Sequence, residues 1–355
     1  MPSALIEVGF LSNASDRSLL LSSTYRHKVA VGIANGIERY LASDPYRARE
    51  RRIEGPNRYA TAVAAADAGW PDGAETVLLS SGEQWPDSLA AGPLSLAWDA
   101  PILLTPTARL APETAQALAR LKPSRIVVLG GEPAVSAATA EAARIAAGLA
   151  AADMERIAGQ NRYETAALVA GEVGVTSGTV VVVSGQAYPD AVSGASLAAM
   201  TGSPILLTRG DILAGEVRSF IETHSAETST AIVIGGPPTI TTAVTTSLGE
   251  LCDVSWVYGP NRYATNLAVI KRYWPTGPLA PYVATGTNFP DALVAGALAG
   301  ADRQPIMLCG RASLPAATRE WIMHETDRIG GFTMMGSHAA LARVLEWEFL
   351  KARGD

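Results

Sequence analysis

Arginine and aspartate return at fixed places in this chain, and both types can handle charge. The stretch Gly-x-Asn-Arg-Tyr-x-Thr occurs at residues 55–61, 159–165 and 259–265, its starts 104 and then 100 residues apart. It supplies Arg58, Arg162 and Arg262. A Pro-Asp pair follows each copy and supplies Asp87, Asp190 and Asp291. A further proline opens Pro-Ile-Leu-Leu-Thr in the first two copies, ending at Thr105 and Thr208, and Pro-Ile-Met-Leu-Cys in the third, ending at Cys309. An arginine beside the free N–H groups of a helix start suits a phosphate or carboxylate. An arginine beside an aspartate equally suits a salt bridge that pins two loops, and the sequence leaves both readings open. Tyr59, Tyr163 and Tyr263 read as core residues. No catalytic constellation recurs, since His is missing from the first copy and not aligned in the others. The pairs Gly130-Gly131 and Gly235-Gly236 lack a dinucleotide fingerprint, and no P-loop is present.

The elements that must position these residues follow from apolar runs and punctuation. In the first copy a short strand precedes a helix over 57–68, with Asn57 as its N-cap. Strand 76–80, helix 86–97, strand 102–104, helix 112–121, strand 125–129 and helix 135–149 follow. Pro93 stands inside the second helix, where Ser196 and Ala297 stand in the other copies, and predicts a kink there. In the third copy Tyr263, Leu267, Ile270 and Trp274 share one helix face. Unalternated strands such as residues 180–183 predict a parallel sheet buried on both faces, giving three tandem three-layer α/β modules. The reading divides the repeats at 53–155, 156–255 and 256–355, after a linker over 44–52. Ligands of open parallel sheets bind beyond the carboxyl ends of the strands. That places Arg58, Arg162 and Arg262 near Asp87, Asp190 and Asp291 at helix N-termini, with Thr105 and Thr208 at strand ends.

Composition narrows the partners. The chain has 355 residues, 48% hydrophobic and 17% charged, with a net charge of −6. No whole-chain basic field exists for nucleic acid, so an anionic partner must be held by local Arg and backbone N–H groups. No apolar run is long enough for a membrane span. Two cysteines, Cys252 and Cys309, form no metal-binding pattern. A triplicated module without acid–base residues favours a multivalent binding surface over an enzyme. A small-ligand α/β protein that takes a nucleotide or sugar phosphate is the alternative.

Residues 1–43 stand outside the repeat. Leu5-Ile-Glu-Val-Gly-Phe-Leu-Ser-Asn13 followed by an amphipathic helix over 25–41 resembles the C-terminal end of the zinc-dependent N-acetylmuramoyl-L-alanine amidases. The resemblance implies that Glu7 occupies the position of the catalytic carboxylate, while the zinc ligands of the intact domain are missing here. It therefore implies a strand–helix remnant without activity, with the export signal lost alongside the missing front. The repeats themselves resemble the type 2 cell wall binding repeat of Gram-positive surface proteins, on the Gly-x-Asn-Arg-Tyr-x-Thr, Pro-Asp and Pro-Ile-Leu-Leu motifs. That resemblance implies three modules packed about a pseudo-threefold axis and a secreted, wall-associated protein. It also implies noncovalent anchoring to an anionic wall polymer on peptidoglycan, with no cofactor in this chain. The third copy departs from the pattern at Met307, Cys309 and Ser337.

Overall fold

A computed structural model describes residues 12–41, 50–276 and 279–354. Glu7 and the strand assigned around it lie outside the described residues. Helices α1 (Ala14–Leu21) and α2 (Ser23–Leu41) follow, the first capped by the Asn13 side chain.

The repeats form three four-stranded parallel sheets. The first has the order β3-β2-β4-β5, from Ile102–Thr105, Thr76–Ser81, Arg125–Leu129 and Met154–Ile157. The second has the order β7-β6-β8-β9, from Ile205–Thr208, Thr179–Ser184, Thr230–Ile234 and Asp253–Val257. The third joins β1 (Glu50–Ile53) to β12 (Phe332–Met335), then β10 (Tyr282–Thr285) and β11 (Ile306–Cys309). The leading strand of each repeat thus completes the sheet of the repeat before it, and β1 completes the last. The divisions drawn at 155/156 and 255/256 fall inside β5 and β9. Sequence periodicity identifies the repeat but not its starting point, and pairing chooses the neighbour's edge.

The first helix of each repeat is α3 (Arg58–Gly69), α8 (Arg162–Val173) or α12 (Arg262–Tyr273). The second is central: α5 (Ala91–Trp98), α9 (Tyr188–Thr201) and α13 (Pro290–Ala301) pack against one another around the pseudo-threefold axis. In the first repeat this helix is broken, with a short α4 (Pro86–Leu89) before Ala90. Pro93 has no N–H to offer the Leu89 carbonyl one turn back, so the kink expected there becomes a break. The outer helices are α6 (Pro112–Leu121), α7 (Ala137–Ala147), α10 (Gly215–Thr223), α11 (Thr242–Gly249), α14 (Ala316–His324) and α15 (Val344–Arg353).

Strand alternation divides the core. Leu78 of β2 and Val181 and Val183 of β6 face one central cluster shared by all three modules. Val77 and Leu79 face a satellite cluster outside the first sheet, and Val180 and Val182 one outside the second. Both faces of each strand are covered, which explains the unbroken apolar runs. A shared central core joins the modules as one packed body.

Candidate functional site

Each Gly-x-Asn-Arg-Tyr-x-Thr copy builds a helix start. The Asn side chains cap α3, α8 and α12, Asn57 accepting from Tyr59 N–H at 3.0 Å and Ala60 N–H at 2.9 Å. The threonine hydroxyl accepts from the glycine N–H six residues back, at 3.2, 3.1 and 3.1 Å in the three copies. A Cβ on Gly55 would stand 2.5 Å from the Ala60 carbonyl carbon, so only glycine lets the loop close this tightly.

The arginines reach across their own modules to the ends of strands. Arg162 donates to the Gly185 carbonyl and Arg262 to the Gly286 carbonyl, each at 2.6 Å, and Arg58 donates to that of Gly82. In all three cases the donor is Nη1. Among the described residues no protein hydrogen bond from Nε or Nη2 of these arginines is present. Gly82, Gly185 and Gly286 each stand four residues before the Pro-Asp proline, a repeat position the sequence reading missed. A Cβ there would meet the motif tyrosine ring at 2.6, 2.7 and 2.6 Å.

The aspartates correct the expected pairing. Asp87 faces Arg162 and Thr165, Asp190 faces Arg262 and Thr265, and Asp291 faces Arg58 and Thr61. Each site therefore joins the Pro-Asp loop of one module to the Asn-Arg-Tyr loop of the next, and the third site joins the last module to the first. The sequence reading had paired each Arg with the Asp of its own copy. The cyclic shift has the same cause as the displaced sheet strands: the segment leading into each motif belongs to the preceding module. Burial raises the carboxyl pKa of all three aspartates, against the opposing pull of the arginine and threonine, and pushes Asp291 up to about 6. Gly130, Gly235 and Gly336, at φ +95, +124 and +104°, leave space beside these carboxylates. The substitution at Ser337 is harmless to this geometry, because Gly131 and Gly236 adopt no positive φ.

Two of these sites open as clefts. One of about 190 Å³ is lined by Asp87, Arg162, Thr165, Asn161, Gln84 and Gln160. The other, about 320 Å³, is lined by Asp291, Arg58, Thr61, Asn57, Asn288 and Ser337. Thr105 and Thr208 are not part of them. Both are fully buried, their hydroxyls donating to the Arg109 and Ile212 carbonyls and accepting from the Ala111 and Ala214 N–H groups. They close a loop after the strand and offer a ligand nothing.

The sequence reading also missed the aromatic residue before each Pro-Asp. Trp85, Tyr188 and Phe289 meet near the axis, Tyr188 lying edge-on to both others at 6.4 and 6.3 Å between ring centroids. The histidines are not aligned between copies: His224 follows the last residue of α10, where Glu325 follows α14, and His324 is the last residue of α14, where Thr223 ends α10. His224 stacks on Phe220 and contacts its carbonyl, a structural role. No group of three His, Cys, Asp or Glu residues is placed to hold a metal among the described residues.

With this geometry in place, comparison with known proteins is decisive. The sequence profile of Cell wall binding domain 2 (CWB2) matches residues 52–140, 156–245 and 257–345. The chain belongs to the cell wall binding domain 2 family. The profile of N-acetylmuramoyl-L-alanine amidase matches residues 1–39. Over 292 residues the chain is 30% identical to N-acetylmuramoyl-L-alanine amidase LytC of Bacillus subtilis (strain 168), covering 82% of this chain and 56% of that protein. It is 27% identical to the Amidase enhancer of the same strain, covering 85% of this chain and 41% of the other. The chain thus spans about half the length of these relatives. Among solved structures it resembles Cwp8 from Clostridium difficile, with a TM-score of 0.79 and 25% identity over 93% of this chain and 56% of that one. It also resembles Cwp6 from the same organism, with a TM-score of 0.73 and 25% identity over 82% of this chain and 46% of that one. No helix among the described residues is long and apolar enough to cross a membrane.

Proposed function

We propose that this chain anchors noncovalently to the Gram-positive cell wall by holding an anionic secondary wall polymer in the clefts between modules. The observation that carries the reading is the threefold recurrence of an arginine beside a helix N-terminus at every module junction, within a family of wall-binding domains. Arg58, Arg162 and Arg262 supply charge, and their planar guanidinium groups suit carboxylate or phosphate. The N-terminal ends of α3, α8 and α12 add their positive dipole ends. Asp87, Asp190 and Asp291 oppose an anion when ionised, but burial favours their neutral forms. Several such clefts on one packed body gain avidity on a repeating polymer. Few charge contacts near the surface imply binding that weakens as salt rises.

The test is sedimentation with purified Gram-positive walls before and after acid removal of the secondary polymers. Binding should disappear on removal, and a folded Arg58→Ala, Arg162→Ala, Arg262→Ala triple variant should lose it on untreated walls. Wild-type sedimentation by that triple variant, or by stripped walls, defeats the reading. We further propose that this chain lacks amidase activity and that Glu7 is inactive. Stem-peptide release from peptidoglycan by the purified chain with added zinc contradicts that.

A further inference from the structure

The contacts near the axis connect two clefts that otherwise look separate. The Arg162 guanidinium lies over the Trp85 ring, 5.9 Å from its centroid, and that of Arg262 over Tyr188 at 5.8 Å. Trp85 and Tyr188 meet edge-on at 6.4 Å. The Tyr188 hydroxyl ties the far end, accepting from Arg262 and donating to the Gly286 carbonyl, both at 3.4 Å. Guanidinium, ring, ring and guanidinium therefore form an unbroken strip from the junction of modules 1 and 2 to that of modules 2 and 3. Trp85 and Tyr188 are only half-buried, whereas Phe289 is 9% exposed. Among the described residues no such stack joins Arg58 to Phe289, so the third junction stands off the strip.

Each contact alone fixes a side chain, and at these distances each is weak. Together they set two aromatic rings between two cations. A pyranose bearing an acidic group has the complementary surface. Its C–H face packs on an aromatic ring, and its carboxylate or phosphate pairs with a guanidinium.

We propose that Arg162, Trp85, Tyr188 and Arg262 form one continuous site for a single segment of acidic polysaccharide, rather than parts of two independent sites. The inference rests on the wall-polymer reading above. It makes the junctions unequal: the segment crosses the strip, and Arg58 contributes separately. Asp87 and Asp190 flank it, facing Arg162 and Arg262.

The test is calorimetric titration of the full chain with size-fractionated oligosaccharides released by mild acid from purified Gram-positive walls. Arg162→Ala and Arg262→Ala should each weaken affinity about tenfold at unchanged stoichiometry, as expected when one charge-assisted contact of a shared ligand is lost. Arg218→Ala, on the outer helix α10 and outside the strip, should leave the affinity of that segment unchanged. Trp85→Leu should weaken it and Trp85→Phe restore it, because the aromatic face and not the indole N–H is required. Should Trp85→Leu fail to fold, the arginine comparison decides alone. Stoichiometry that falls in Arg162→Ala or Arg262→Ala while the remaining affinity holds overturns the shared site. So does binding to whole walls with none to any released oligosaccharide, an outcome that leaves the anchor reading standing. Binding to neither defeats the anchor reading, and this inference falls with it.

Discussion

Asp291 shows how burial at a module junction becomes a pH effect. Its carboxyl is pushed up to about 6 by burial, with Arg58 and Thr61 pulling only partly back. An unfolded aspartate titrates near ~3.9. The folded state therefore binds the proton first, and between those values the folded chain holds more protons than the unfolded one. Stability then rises as pH falls from 7 towards 4, by on the order of 2 kcal/mol from this group. Asp291→Asn should flatten that slope and raise stability at pH 7. Urea unfolding at pH 7 and pH 5 for both proteins checks this, and an unchanged slope in the variant contradicts it. Residue types singled out the arginines and aspartates as a candidate site. Their partners were not legible, because the copy that supplies each Asp is decided by sheet pairing. Trp85, Tyr188 and Phe289 escaped notice for a different reason: the position conserves an aromatic face while the letter changes.

Helices were read almost to their ends, since Asn57, Asn161 and Asn261 cap them and proline opens the central ones. What periodicity could not show is how closely the central helices approach. They are apolar nearly all round, so no single face announces its partner. Ser193 and Ser196 of α9 illustrate this, because their partners come from the third module. Asn266 donates to Ser193 at 3.1 Å and to the Ile306 carbonyl at 2.9 Å, and the Ile306 N–H donates to Ser196 at 3.0 Å. Asn266 stands where the other copies carry Ala62 and Ala166, a difference that only the buried interface explains. The helices α9 and α13 approach closely at Gly300, where a Cβ would lie 2.7 Å from that of Ala199. Gly300→Ala must push two helices apart, and should cost about 1–3 kcal/mol despite its favourable helix propensity. Gly171→Ala, in α8 with open space around it, is the control and should be neutral or stabilising. Equal effects of the two substitutions on the melting temperature contradict the packing argument.

At the scale of the molecule, the ring is closed by one short strand and one arginine. β1 pairs with β12 through Glu50–Phe332 to Ile53–Met335, bringing the start of the first repeat to the end of the last. Arg52 of that strand donates to the Gly336 carbonyl at 2.6 Å, to the Leu341 carbonyl at 3.2 Å, and to Glu346 at 2.5 Å. Its counterparts, Arg156 and Trp256, donate to the Gly130 carbonyl at 2.6 Å and the Gly235 carbonyl at 2.7 Å. All three satisfy the carbonyl of the glycine that makes room for the aspartate, so ring closure and this geometry share a residue. The junctions differ in how the chain holds them. β5 and β9 are tethered to their sheets by continuous backbone, whereas β1 is held in the third sheet by noncovalent contact alone. Arg52→Ala removes the clamp and leaves the partly buried Glu346 with only His338, at 4.0 Å, a loss of about 2–3 kcal/mol. Arg156→Ala removes one hydrogen bond at a tethered junction and should cost about 1 kcal/mol. Because the central core spans all modules, the wild type should unfold in one transition. Once β1 is free, the β12 edge is exposed for pairing with another chain. Arg52→Ala should therefore also show concentration-dependent association near its midpoint, which Arg156→Ala should not. Urea titration at two protein concentrations, read by tryptophan fluorescence and light scattering, tests both expectations. Equal destabilisation without association would mean that β1 closes nothing the rest of the core does not already hold.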